Sequence, residues 1–212
     1  MDKRFYLDTE FHEYEINGID TIELISIGII NDDKKYYAIC KDFDIDKAWE
    51  NTWLRENVLN NLFETNEELT LKELKSFISE KGLTREEIKN DLLNEFIDYP
   101  YPLFYTYYGS YDWVVFCWIF GRMMDLPKNY PMYTIDLKQE LDKVTDKDIR
   151  EYCIKYKVLM NHLVNCDDGT FYRDITLLQE YPKKLNNHNA LDDAKWNKVL
   201  HEFIIKIKSS RL

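Results

Sequence analysis

The chain has 212 residues and a net charge of −11, long enough to bury one sizeable core and of the wrong sign for broad, non-specific attraction to duplex nucleic acid. Sixteen Tyr and 11 Phe against 6 Gly and 5 Pro exclude long disordered or low-complexity stretches. Cys40, Cys117, Cys153 and Cys166 form no C-x-x-C pair and read as reduced thiols; with no apolar leader and no run of membrane-spanning length, a cytoplasmic protein without a membrane partner is expected.

The first element, Phe5-Tyr6-Leu7-Asp8-Thr9-Glu10, reads as a strand ending in two carboxylates. Strand side chains alternate, so Asp8 and Glu10 leave one face with their Cα atoms about 6.5–7 Å apart, while Phe5, Leu7 and Thr9 leave the other. Two like charges at the end of an apolar strand repel, and one is pushed towards protonation unless a cation sits between them. Acidic residues also end strands simply because strands end at the surface, so the pair needs partners elsewhere. Residues 11–17 are mixed, then residues 21–31 and 35–40 read as two further strands about a turn at 31–34, which makes an antiparallel meander.

From about 48 to 98 the apolar residues recur at helical spacing, among them Trp49, Trp53, Leu74, Ile78, Ile88 and Leu92. Breaks fall near 65–70 and 82–84, and Thr84 three residues ahead of Glu87 has the form of a capped helix start. The stretch is expected to be a helical elaboration of one domain spanning 1–212. Tyr99-Pro100-Tyr101-Pro102 stops it, and residues 103–107 read as a buried strand leading to Gly109-Ser110-Tyr111-Asp112. There Ser110 can cap a helix carrying Val114, Val115, Trp118 and Ile119. Asp112 falls in its first turn, just past the carboxyl end of a strand, where open α/β sheets place ligand sites and where an acidic residue also complements a helix dipole.

Residues 132–137 read as a strand and 145–155 as a helix, whereas 156–174 show no assignable pattern beyond a turn at 166–169. Asn189 is a plausible N-cap of a last helix running to about Lys208. His188 then stands on the loop before that helix and Asp193 in its first turn.

Taken together, Asp8 and Glu10, then Asp112, then His188 with Ala190 and Asp193 in the form H-x-A-x-x-D resemble the three motifs of the DEDDh 3′–5′ exonucleases, the group of oligoribonuclease, RNase T and the proofreading exonucleases. Residues 53–59, 107–112, 120–127, 131–139 and 188–197 further resemble a smaller group of bacterial and phage 3′–5′ exoribonucleases similar to a mycobacterial RNase T-like enzyme. The resemblance implies an α/β, RNase H-like fold: a mixed central sheet, three meandering strands first, with helices on both faces.

It also implies chemistry. Asp8, Glu10 and Asp193 would hold one divalent ion, Asp8 would reach a second, and Asp112 would act largely through water; oxygen donors suit Mg²⁺ or Mn²⁺. Two such ions about 3.5–4 Å apart can promote attack by water on a 3′-terminal phosphodiester. His188 would be the general base, releasing nucleoside 5′-monophosphates from single-stranded RNA or short oligoribonucleotides. Asp192, though adjacent, falls outside the family spacing and is read as supporting the helix start. Phe11 and His12 follow the first motif, where related enzymes seat the terminal nucleotide; Phe11 is equally compatible with a core position. Arg55 and Arg122 suit either phosphate contacts or structural ion pairs. The same site would serve a DNA exonuclease, because the contact that reads the 2′-OH lies outside the motifs, and a non-catalytic RNA-end-binding module is the reading from another class. The resembling group tends to dimerise, so a homodimer is expected.

Overall fold

The computed structural model describes residues 3–63, 69–96, 100–156, 163–165, 171–173, 175–178, 180–184 and 188–210. The first strand, β1 (Arg4–Ile16), is 13 residues long and continues well beyond the acidic pair. Asn17 and Gly18, with φ of 53° and 78°, turn it directly into β2 (Ile19–Ile30). Two successive positive φ values are what a two-residue hairpin matching the strand twist demands, and Asn-Gly supplies them. A short turn at 31–34 leads to β3 (Lys35–Ile39), completing the expected meander.

Helices α1 (Ile45–Glu50), α2 (Thr52–Asn57), α3 (Leu71–Lys81) and α4 (Arg85–Phe96) follow. The Thr84 and Glu87 side chains exchange bonds with each other's backbone amides at the start of α4, as the spacing predicts. Then come β4 (Leu103–Thr106), α5 (Ser110–Phe120), β5 (Ile135–Asp136), α6 (Leu137–Asp142), α7 (Asp146–Tyr156), the pair β6 (Leu163–Asn165) and β7 (Phe171–Arg173), and finally α8 (Ala190–Lys208). The sheet order is β3-β2-β1-β4-β5, with β4 parallel to β1 and β5 parallel to β4. This mixed α/β sheet with an antiparallel meander on one side is the RNase H-like arrangement.

Alternation along β1 sorts the two cores. Phe5 and Leu7 enter a cluster with Phe104, Trp113, Phe116 and Tyr130 beneath α4 and α5. Tyr6 points the other way, into a cluster built from α6, α7 and α8, and α1–α3 cover Ile25 and Ile39. Helices therefore lie on both faces.

Some elements differ from expectation. Residues 132–137 do not form a six-residue strand: only Ile135 and Asp136 do, because the Asp136 carboxylate accepts the Lys138 amide and starts α6 at once. Gly109, not Ser110, is the N-cap of α5, and Ser110 is its first helical residue; a Cβ on Gly109 would overlap the Thr106 side chain. Val114 and Trp118 are exposed, since α5 is apolar all round and only one side of it can dock. Cys40, Cys117 and Cys153 are buried and outside any disulfide among the described residues, while Cys166 and the turn at 166–169 lie outside the described residues, as do Tyr99 and the start of the break at 65–70.

Candidate active site

β1 and β4 pair only from Arg4↔Leu103 to Tyr6↔Tyr105. Beyond Tyr6 the strands part, and the opening past the carboxyl end of β4, alongside the middle of β1, is where side chains from α5 and α8 meet β1. The Thr9 amide, which β4 no longer reaches, donates to Asp112 Oδ1 at 2.8 Å, and the Thr9 hydroxyl donates to the same oxygen at 2.7 Å. Asp112, in the first turn of α5, is thereby fixed beside the middle of β1. It is 7% exposed, and burial raises its pKa to about 6 despite the two Thr9 bonds that oppose the shift.

On the opposite face of β1, Asp8 and Glu10 meet α8. Asp8 stands opposite Gly28, and a Cβ at Gly28 would collide with the backbone at Ala190 and Leu191. The missing side chain lets the first turn of α8 press against β2, which brings Asp193 beside the β1 carboxylates. Asn189 caps α8 by accepting the Leu191 and Asp192 amides, and Asn197 donates to the Leu7 carbonyl at 3.0 Å, tying the helix to β1.

Asp8, Glu10 and Asp193 each offer a carboxylate oxygen within 4.8 Å of the others, the metal-type cluster found among the described residues. Glu10 and Asp193 are buried and Asp8 is partly so. Burial first, then the neighbouring carboxylates, push Asp8 well above the usual carboxylate range and Glu10 up to about 8. A cluster of buried oxygens that resists ionisation is stabilised by a hard divalent cation, and among the described residues no His nitrogen or Cys sulfur joins it. The residues present thus fit such an ion. Asp192 projects elsewhere, pairing with Lys195 at 2.7 Å.

His188 precedes α8 with φ of 63°, which turns its amide towards Asp193 Oδ2 at 3.3 Å. Its Nδ1 is 4.0 Å from Glu10 Oε2, and its ring meets the Trp53 ring edge-on at 4.8 Å. Desolvation lowers its pKa from the ordinary 6.5, with Asp193 opposing the shift. An open cavity of about 510 Å³ lies against it, lined by Glu10, Phe11, Glu13, Asn51, Trp53, Leu54 and His188.

Phe11 packs on the core beneath α5, 5.9 Å from the Tyr111 ring, and also lines the cavity. His12 is 4% exposed and stacks on Tyr14, away from the cavity lining. Arg55 donates to the Trp49 carbonyl and lies over its ring, and Arg122 pairs with Asp125; neither lines the cavity. Trp53, which the helical spacing marks as core, is 54% exposed at the cavity wall, because α2 is a short helix with a single inward position at Leu54. Periodicity over six residues cannot separate the two orientations.

No protein-family model matches the chain. Two curated 3′–5′ exoribonucleases, from two strains of Mycobacterium tuberculosis, are each 34% identical to it over 140 residues, 64% of this chain and 72% of theirs. Among solved structures, E. coli exonuclease I with a 5cy-dT13 oligonucleotide aligns with a TM-score of 0.45 and 14% identity over 98% of this chain and 40% of that one. The same enzyme with a dA16 oligonucleotide gives 0.46 and 13% over 97% and 41%, so this chain spans about two fifths of exonuclease I. Identity at the level of the mycobacterial enzymes, across nearly three quarters of their length, settles the kinship: the chain belongs to the family of 3′–5′ exoribonucleases.

Proposed function

We propose that this protein is a metal-dependent 3′–5′ exoribonuclease that removes nucleoside 5′-monophosphates from the 3′ ends of single-stranded RNA or short oligoribonucleotides. The observation that carries the reading is the meeting of Asp8, Glu10 and Asp193 within 4.8 Å beside His188. Asp8, Glu10 and Asp193 would hold one Mg²⁺ or Mn²⁺ ion, and Asp8 and Asp112 would serve a second. When bound, such a pair polarises the attacking water and neutralises charge on the departing oxygen.

His188 is the general base. Its depressed pKa keeps it neutral at neutral pH, ready to take the proton of the attacking water. The water oxygen bonds to phosphorus as the P–O3′ bond breaks, and the leaving 3′ oxygen takes a proton from solvent. Asp112 stays in place through its two bonds from Thr9. Phe11 and Trp53 flank the cavity and receive the terminal base, each stacked contact being worth about 1–3 kcal/mol. The reaction we propose is cytoplasmic, a reading supported by Cys40, Cys117 and Cys153 being buried outside any disulfide among the described residues.

The test is product identification by chromatography after digestion of single-stranded RNA ending in either a 3′-hydroxyl or a 3′-phosphate. Nucleoside 5′-monophosphates, released faster from the 3′-hydroxyl end, are expected. Nucleoside 3′-monophosphates, or shortening from the 5′ end, would refute the reading.

A further inference from the structure

Lys184 belongs to none of the motifs, yet its Nζ lies 2.8 Å from Asp193 Oδ1, a carboxylate whose side chain is only 5% exposed. Its charge also bears on Asp8, Glu10 and His188. On its outer side the ammonium sits 5.0 Å from the centre of the Trp196 ring. Trp196 in turn donates its indole N–H to the Pro182 carbonyl at 2.9 Å, so the 182–184 segment is tethered to α8. Between segment and helix runs an open groove of about 420 Å³, lined by Lys183, Lys184, Lys195, Trp196 and Val199 among others. It is distinct from the cavity at Trp53, with which it shares no lining residue.

A lysine suits two seats: its charge is compact and its four-carbon stem flexible. Without metal, Asp193 needs a cation, and Lys184 provides it. Two divalent ions would balance Asp8, Glu10, Asp112 and Asp193, leaving the ammonium in excess at the mouth of a groove that also carries Lys183 and, paired with each other, Lys195 and Asp192. In a chain of net charge −11, such a local excess of positive charge is complementary to a phosphodiester backbone. We propose that Lys184 is a built-in counter-cation of the carboxylate cluster, neutralising Asp193 until divalent ions enter and then taking a phosphate of the RNA strand that lies along the groove between residues 182–184 and α8. The second half rests on the exoribonuclease reading; the first does not.

The experiment has two arms. Calorimetric titration with Mn²⁺ in the absence of RNA compares the full-length wild type with Lys184→Met, Lys184→Arg and Lys183→Met, each checked for folding by circular dichroism. Lys184→Met is expected to bind Mn²⁺ about threefold to tenfold more tightly, with Lys184→Arg and Lys183→Met close to wild type. At saturating Mn²⁺, Lys184→Met should raise KM for single-stranded RNA about fivefold, leave kcat within about twofold, and lower the salt slope of binding by about 0.7. Unchanged or weaker Mn²⁺ binding in Lys184→Met, or equal tightening in Lys183→Met, overturns the counter-cation role. An unchanged KM and salt slope overturn the phosphate role. Tighter Mn²⁺ binding by Lys184→Met together with a wild type that degrades no RNA overturns the phosphate half along with the exoribonuclease reading, and leaves the counter-cation standing.

Discussion

His188 concentrates several demands on one residue. The left-handed backbone, which His tolerates better than most side chains, lets a single position point its amide at Asp193 and its ring at Trp53. Because desolvation holds its pKa below 6.5, kcat/KM should be level around neutrality and fall on the acid side as the imidazole takes up a proton. His188→Ala should lower kcat by about 10²–10⁴-fold and erase that acid limb, as a pH–rate profile would show. Glu10 gives an opposite signature in stability. Its pKa is raised in the folded state from 4.5 to about 8, so the metal-free native protein holds a proton that the unfolded chain releases. Its contribution is present in full below pH 4.5 and is lost as the pH rises through about 8. In EDTA, Tm should therefore fall over that window, and Glu10→Gln should flatten the fall; a Glu10→Gln curve parallel to wild type would disprove the cause. Asp193→Ala should abolish metal-dependent turnover, whereas Asp192→Ala, whose carboxylate pairs with Lys195, should keep much of it.

Elements bring these residues together through features of very different visibility. The caps at Thr84 and Asn189 are local, each needing only a side chain and an amide within a few residues, and both could be read directly. The Asn17-Gly18 hairpin was equally legible in principle, yet the polar residues that precede it hid the continuation of β1. The two-residue β5 was not legible: β-type residues around Tyr133 and Ile135 compete with the cap made by Asp136, and the cap wins only because β4 offers so short a parallel partner. Gly28 looks like an ordinary strand residue until α8 is laid across it. Gly28→Ala should force the start of α8 outward, costing about 1–3 kcal/mol of stability, and should reduce turnover by moving Asp193 away from Asp8. Denaturant unfolding and kcat measured on the same preparation check both; full activity with wild-type stability would show that the close approach is not needed.

At the scale of the whole molecule, the motifs were legible because acidic residues in a set order at strand and helix ends have few other reasons to recur together. Lys184 and the exposed face of Trp53 were not, since their importance arises from neighbours far along the chain. The net charge of −11 also predicts how substrate is held. Among the described residues Lys183, Lys184 and Lys195 line the groove beside the site, so RNA affinity should weaken no more than about tenfold between roughly 50 and 200 mM salt, the slope expected for about two single-strand phosphates. A much steeper loss, in fluorescence-anisotropy titrations, would require an extended basic surface elsewhere. The most direct measurement is gel-resolved digestion of 5′-labelled single-stranded RNA and matched DNA, with Mg²⁺, Mn²⁺ or EDTA, using wild type beside Asp8→Ala and His188→Ala. A ladder shortening from the 3′ end of RNA, present with either metal and erased by EDTA and by both substitutions, is the expected result. A ladder on DNA alone, or one that survives EDTA or Asp8→Ala, would contradict a metal-dependent exoribonuclease centred on these carboxylates.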